Sequence, residues 1–186
     1  IDTGRWSKKA LKEARKIGRA KSLASSAPNS YYNIPPIPPI PGDAAYVHLT
    51  SNNTVQGTQF PSLPVGDNRW VVDLSSDIFS RPVDFSNLDL AYAGLQKNVG
   101  TAGACLVILN RDWLAEQRDG LLSMMSFDVH VQARSMFNTP PVIAVAFAWA
   151  SLHYLAERGG IEVVAKENEQ KARLIYDAID NHPYFN

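Results

Sequence analysis

Four short apolar runs, each bounded by turn-forming residues, constrain this chain more than any other feature. They are Ala45-Tyr46-Val47-His48-Leu49, Trp70-Val71-Val72-Asp73, Leu88-Asp89-Leu90-Ala91-Tyr92-Ala93 and Cys105-Leu106-Val107-Ile108-Leu109. Each reads as a strand, and near-continuous hydrophobicity implies burial on both faces, as in a sheet covered by helices. The predicted fold class is therefore α/β, with a mainly parallel sheet.

The helices that would cover it are legible too. From Trp6 to Arg19 the apolar residues Ala10, Leu11, Ala14 and Ile17 recur at helical spacing, with Ser7 as the predicted cap and Gly18 as the stop. Lysines and arginines fill the outer face of this helix and read as a solvated surface. Pro140 to Glu157 predicts a helix apolar enough to be buried. Past Gly159-Gly160 an amphipathic helix follows, with Ile161, Val164, Ala172, Ile175 and Ile179 on one side. Between the first helix and the first strand, YYNIPPIPPIP (Tyr31 to Pro41) is an extended polyproline segment. Its PxxP spacing, Pro35 to Pro38, admits an SH3-like partner, but Ile34, Ile37 and Ile40 favour a connector lying on its own protein.

Charge and cysteine content narrow the function. Eighteen basic and eighteen acidic residues give a formal charge of zero, so no global field draws the chain to nucleic acid or an anionic membrane. The longest apolar stretch, Val142 to Leu152, is too short to span a bilayer. A single cysteine, Cys105, forms no internal disulfide and fits a reducing compartment, so the cytoplasm is expected. No spaced His/Cys/Asp/Glu set has metal-ligand geometry, and His48, His130, His153 and His182 are scattered and read as structural.

Polar residues where buried strands end are the candidate site, because open α/β sheets bind ligands at the carboxyl ends of their strands. Lys97 lies between Gly94 and Gly100 after an apolar strand. There it is either a solvated turn residue or a buried amine, available to condense with an aldehyde cofactor. Asp73 ends its strand in apolar surroundings, either capping the Ser75-Ser76 turn or facing a cation such as a protonated pyridine nitrogen. Asn138-Thr139-Pro140-Pro141 reads as a helix start with Thr139 as cap, the same geometry that binds phosphate.

The stretch VVDLSSDIFSRPVDFSNLDLAYAGLQKNVGTAG (Val71 to Gly103) resembles the cofactor-lysine region of phosphoserine aminotransferases. Thr3-Gly4-Arg5-Trp6-Ser7, Asn52-Asn53-Thr54-Val55-Gln56-Gly57 and Met136-Phe137-Asn138-Thr139-Pro140-Pro141 resemble further marks of that family, in the same order. The resemblance implies a fold-type I homodimer that uses pyridoxal 5'-phosphate to move an amino group from glutamate to 3-phosphohydroxypyruvate, in serine biosynthesis. By the same resemblance Lys97 would carry the cofactor and act as general base, and Asp73 would pair with its ring nitrogen. Trp6 would stack on the ring, Thr54 and Gln96 would lie near it, and Asn138 with Thr139 would reach the cofactor phosphate of the other subunit.

The family also has an upstream phosphate-cradling segment and a C-terminal domain with substrate-binding histidine and arginine. Neither has a counterpart between Ile1 and Asn186. The expectation is therefore a central slice: residues 1–158 from the cofactor-binding large domain, and 159–186 a helix leading into a truncated small domain. Such a slice alone should lack full transaminase activity and expose apolar faces. A related fold-type I enzyme with another substrate, or a non-catalytic interaction module, are the alternatives.

Overall fold

The computed structural model describes residues 1–185. Its centre is a four-stranded sheet in the order β1 (Val47–Thr50), β4 (Trp70–Asp73), β5 (Leu90–Gly94), β6 (Cys105–Leu109). The β1/β4 and β4/β5 pairs are parallel and β5/β6 is antiparallel. A two-residue ladder, β2 (Asn52–Asn53) against β3 (Thr58–Gln59), forms a small hairpin directly after β1. The sequence reading missed this hairpin, because two-residue polar strands carry no hydrophobic period.

Period-two alternation sorts the sheet into two faces. Val47, Leu49, Trp70, Val72, Ala91 and Ala93 form one face and pack on Leu74, Ile78 and Phe60. Leu49, Val72 and Leu74 are fully buried, each worth roughly 1.5–3 kcal/mol of transfer free energy. The proline segment runs over this core without regular structure, with Ile34, Ile37 and Ile40 packed against it and Pro35 buried. The connector reading of that segment therefore holds.

The opposite face carries His48, Thr50, Val71, Asp73, Leu90 and Tyr92, by the registers His48↔Val71, Thr50↔Asp73, Val71↔Leu90 and Asp73↔Tyr92. Burial on both faces holds for β1, β4 and β5 but not for β6, at one edge of the sheet, where Cys105 and Val107 are exposed. Below the sheet ends, buried Asp77 accepts from Ser51 Oγ and from Gln59 Nε2 (3.2 Å), with Arg81 at 3.7 Å. These polar bonds fix the hairpin to the turn after β4 and compensate a buried charge.

Five α-helices complete the described chain: α1 (Arg5–Ile17), α2 (Arg111–Ala115), α3 (Phe127–Gln132), α4 (Val142–Glu157) and α5 (Ile161–Asp180). Gly18 ends α1, its N–H donating to the Ala14 carbonyl at 3.0 Å, in an extended rather than left-handed conformation. Ser7 is not the cap: Gly4 is, and the Ser7 hydroxyl lies inside the first turn, donating to the Gly4 carbonyl at 2.9 Å. Likewise α4 starts two residues later than predicted, with Pro141 as its cap residue and no side-chain cap from Thr139.

The burial predicted for α4 is overturned. Only Ala144 is buried, while Ile143 (69% exposed), Phe147 (55%) and Trp149 (68%) face outward. Within this chain α4 packs through Ala144 and Ala148 on the loop that contains Gly100 and Gly103, and it also touches α5, which leaves most of its other residues bare. On α5, Ile161, Val164, Ala172 and Ile179 are half-buried but Ile175 is exposed. No helix among the described residues is long and apolar enough to cross a membrane.

Candidate active site

The carboxyl ends of β1, β4 and β5 lie side by side, and the first turn of α1 is fastened over them by the β2/β3 hairpin. Gly4 has no side chain to cap α1, so the hairpin caps it from outside. Gln56 Oε1 accepts the Arg5 N–H (2.9 Å), and Asn53 Oδ1 accepts those of Trp6 (3.2 Å) and Ser7 (3.4 Å). Asn53 is fully buried, and its Nδ2 donates to Thr3 Oγ1 at 2.8 Å. Gly4 itself is required twice over. Its φ is +151°, and a Cβ there would lie 2.5 Å from Gln56 Oε1 and 2.9 Å from Asn53 Cβ.

This clamp aims Trp6. The indole Nε1–H donates to Thr54 Oγ1 at 3.2 Å, and the Lys97 Nζ stands 4.9 Å from the ring centroid. Lys97 sits in the turn after β5, closed by the Val99 and Gly100 amides donating to the Leu95 carbonyl at 3.1 and 2.8 Å. Its side chain is exposed, which corrects the buried amine considered from the flanking apolar strands. The turn projects the lysine beyond the sheet end, where the indole flanks it. Gln96 is also exposed, and its amide lies over Gly94, 2.7 Å from where a Cβ would be.

Asp73 fills one of the two roles left open by its sequence position. One carboxylate oxygen accepts the Ser75 N–H at 2.9 Å, so the turn cap is real. Ser75 Oγ in turn accepts the Gly94 N–H at 3.1 Å, which ties the Asp73 turn to the strand end that leads into Lys97. Among the described residues no lysine or arginine pairs with Asp73. Burial, and the neighbouring charge of Asp73, push the Tyr92 phenol well above its ordinary range. His48 Nε2 lies 3.0 Å from the Tyr92 hydroxyl, and burial lowers the imidazole to about 4 against the partly compensating charge of Asp73.

Asn138 and Thr139 are not drawn into this cluster. Both are exposed at the start of α4, Asn138 Nδ2 lies 2.9 Å from Met124 Sδ, and no described hydrogen bond joins either residue to Trp6, Thr54, Asp73 or Lys97. The helix they precede nevertheless touches the lysine loop: a Cβ on Gly100 would lie 3.1 Å from the Ala148 backbone nitrogen.

A primary amine, a carboxylate without a cationic partner and an aromatic face thus converge at the strand ends. That donor set fits a planar aldehyde cofactor with a basic ring nitrogen. The sequence reading named Trp6, Thr54, Asp73 and Lys97, and Asn53 within its motif, but missed the cap Asn53 makes and the pairing of His48 with Tyr92. Strand alternation was the available signal for the last two, since it puts His48, Asp73 and Tyr92 on one face.

Residues 38–186 match the family model described as aminotransferase class-V. The chain belongs to the class-V aminotransferase family. It is 46% identical over 180 residues to the phosphoserine aminotransferase of Geobacillus kaustophilus, covering 96% of this chain and 50% of that protein. To the phosphoserine aminotransferase of Flavobacterium psychrophilum it is 45% identical over 185 residues, covering 100% of this chain and 52% of that one. The solved phosphoserine aminotransferase from Bacillus circulans subsp. alkalophilus superposes with a TM-score of 0.94 at 43% identity, over 97% of this chain and 51% of that one. A pyridoxal-phosphate-bound phosphoserine aminotransferase from Trichomonas vaginalis superposes with a TM-score of 0.89 at 32% identity, over 98% of this chain and 55% of that one. The chain thus spans about half the length of the curated relatives it matches.

Proposed function

We propose that this chain carries the cofactor-lysine half of a phosphoserine aminotransferase, which transfers an amino group between glutamate and 3-phosphohydroxypyruvate with pyridoxal 5'-phosphate. The observation that carries this reading is the cluster of Lys97, Trp6 and Thr54, with Asp73 at the end of the neighbouring strand, in a chain that resembles phosphoserine aminotransferases along its whole length. When bound, pyridoxal phosphate supplies an aldehyde that condenses with amines and a pyridine ring that accepts electron density when a Cα–H bond breaks. Lys97 would hold the aldehyde carbon and, once displaced by substrate, move the proton through Nζ. Asp73 would hold the ring nitrogen's proton. Trp6 would cover one ring face and exclude water, with Thr54 fixing the indole and Gln96 near the ring edge.

The exposed start of α4 fits a second copy better than its own site. In a homodimer Asn138, Thr139 and the first-turn amides of α4 would reach the phosphate of the partner's cofactor, and the bare face of α4 would be covered. Residues 1–158 then belong to the cofactor-binding domain, and 159–186 lead toward a smaller domain, in a cytoplasmic enzyme of serine biosynthesis.

The test is to mix the purified chain with pyridoxal phosphate, reduce with borohydride and map the modified peptides. Labelling confined to Lys97 and lost in Lys97→Ala is expected. Labelling spread over surface lysines, with no preference for Lys97, would overturn the assignment of the cofactor lysine.

A further inference from the structure

The face of the sheet that presents Asp73 carries a second polar group that the proposed chemistry leaves without a task. His48 on β1 and Tyr92 on β5 flank β4 from opposite sides, and the registers place Asp73 directly across from Tyr92. The His48 Nε2 to Tyr92 hydroxyl distance is 3.0 Å. Neither residue is a solvent-facing decoration: both are half-buried or deeper on a face where the other strand residues are Thr50, Val71 and Leu90.

The His48–Tyr92 contact is within hydrogen-bonding distance and Asp73 is the register neighbour of Tyr92, so the direction of a file through the phenol is a matter of counting protons. A carboxylate only accepts, and the phenol has one proton to give. If that proton goes to Asp73, the imidazole atom facing the phenol oxygen must be an N–H, so neutral His48 carries its proton on Nε2. Burial keeps the phenol protonated and the imidazole neutral, which is the state such a file requires.

We propose that His48 and Tyr92 are positioning residues for Asp73, His48 Nε2–H donating to the Tyr92 hydroxyl and that hydroxyl donating to the carboxylate. Ser75 N–H already donates to the carboxylate at 2.9 Å, and the phenol, its register neighbour on β5, would be a second donor that fixes the rotamer. The inference rests on Asp73 facing the cofactor ring. Its first test is independent of that: nitrogen-15 NMR of the histidine rings in the full chain without cofactor. The expected result is the Nε2–H tautomer at His48, and an Asp73 side-chain carbonyl resonance that moves in Tyr92→Phe and His48→Leu but not in His48→Gln, which keeps an N–H donor. An Nδ1–H tautomer would overturn the file.

The second test measures pyridoxal phosphate dissociation constants by the cofactor's visible band. Tyr92→Phe should weaken binding about tenfold, the size of one hydrogen bond to a charged group. His48→Leu should also weaken it, yet add nothing in the Tyr92→Phe background, and His48→Gln should restore it. Equal affinity in Tyr92→Phe, or full additivity of the two changes, would overturn the proposal. A wild-type chain that takes no cofactor on Lys97 would instead sink the reading of the site, while the tautomer would still judge the file.

Discussion

The Lys97 ammonium lies over the Trp6 indole, 4.9 Å from its centroid, and Arg5 and Lys9 approach the same ring at 5.6 and 6.0 Å. Three cations close to one ring put positive charge beside an aromatic surface, which suits the flat anionic cofactor of the proposed function. Trp6→Ala removes the face and the Thr54 hydrogen bond, and should weaken pyridoxal phosphate binding about tenfold, more than the roughly 0.5–1 kcal/mol of one exposed cation–π contact. Trp6→Phe keeps the face and should recover most of the affinity. Equal loss in both variants would show that the Thr54 bond, not the ring, matters.

Gly4 is where the clamp on α1 has no slack. Gly4→Ala puts a Cβ into Gln56 and Asn53 at a φ of +151°, so either the hairpin or the first turn of α1 must move. The expected cost is about 2 kcal/mol or more in chemical denaturation, with loss of cofactor trapping at Lys97 because Trp6 is displaced. Asn53→Ala should cost a similar amount, since it uncaps two helix amides and strands a buried hydroxyl. A Gly4→Ala chain that melts and traps cofactor like wild type would refute the clamp.

His48 gives the fold a pH dependence of definite sign. Burial lowers it from 6.5 to about 4, so between those values the unfolded chain binds a proton that the folded chain refuses. Stability from this residue is therefore complete above about pH 6.5 and lost as the pH falls toward 4, in total about 3 kcal/mol. Urea unfolding at pH 7 and pH 4.5 should show most of that loss in wild type and little of it in His48→Gln, after the common carboxylate contribution is subtracted. Identical differences in the two proteins would refute the assignment.

The scaffold was legible because hydrophobic period is a local signal: all four sheet strands are visible as apolar runs, and α5 follows its glycine pair. Lys97 and Asp73 were legible as strand-end positions, while the roles proposed for them come from the family resemblance. What escaped is what depends on pairing across the chain. Asn53 caps a helix that begins about fifty residues earlier, and His48 meets Tyr92 only after β4 has inserted between their strands. Composition also misled at α4, where an apolar sequence signals that the helix will be covered without saying by what.

That cover is the remaining prediction. Ile143, Phe147 and Trp149 form an exposed apolar surface that soluble monomers seldom tolerate, and in the proposed homodimer it would be buried. Sedimentation of the chain at micromolar concentration should give a dimer or larger species. Because Ile143 and Phe147 make little contact with their own chain, the double change Ile143→Glu and Phe147→Glu should leave monomer stability within about 0.5 kcal/mol per site while abolishing association. It should also lower the yield of borohydride trapping at Lys97, since Asn138 and Thr139 would no longer reach a partner's cofactor. A wild-type chain that sediments as a monomer, or a double variant that stays associated, would remove α4 from the interface. Association abolished with trapping undiminished would mean instead that each chain holds its cofactor without help from the other.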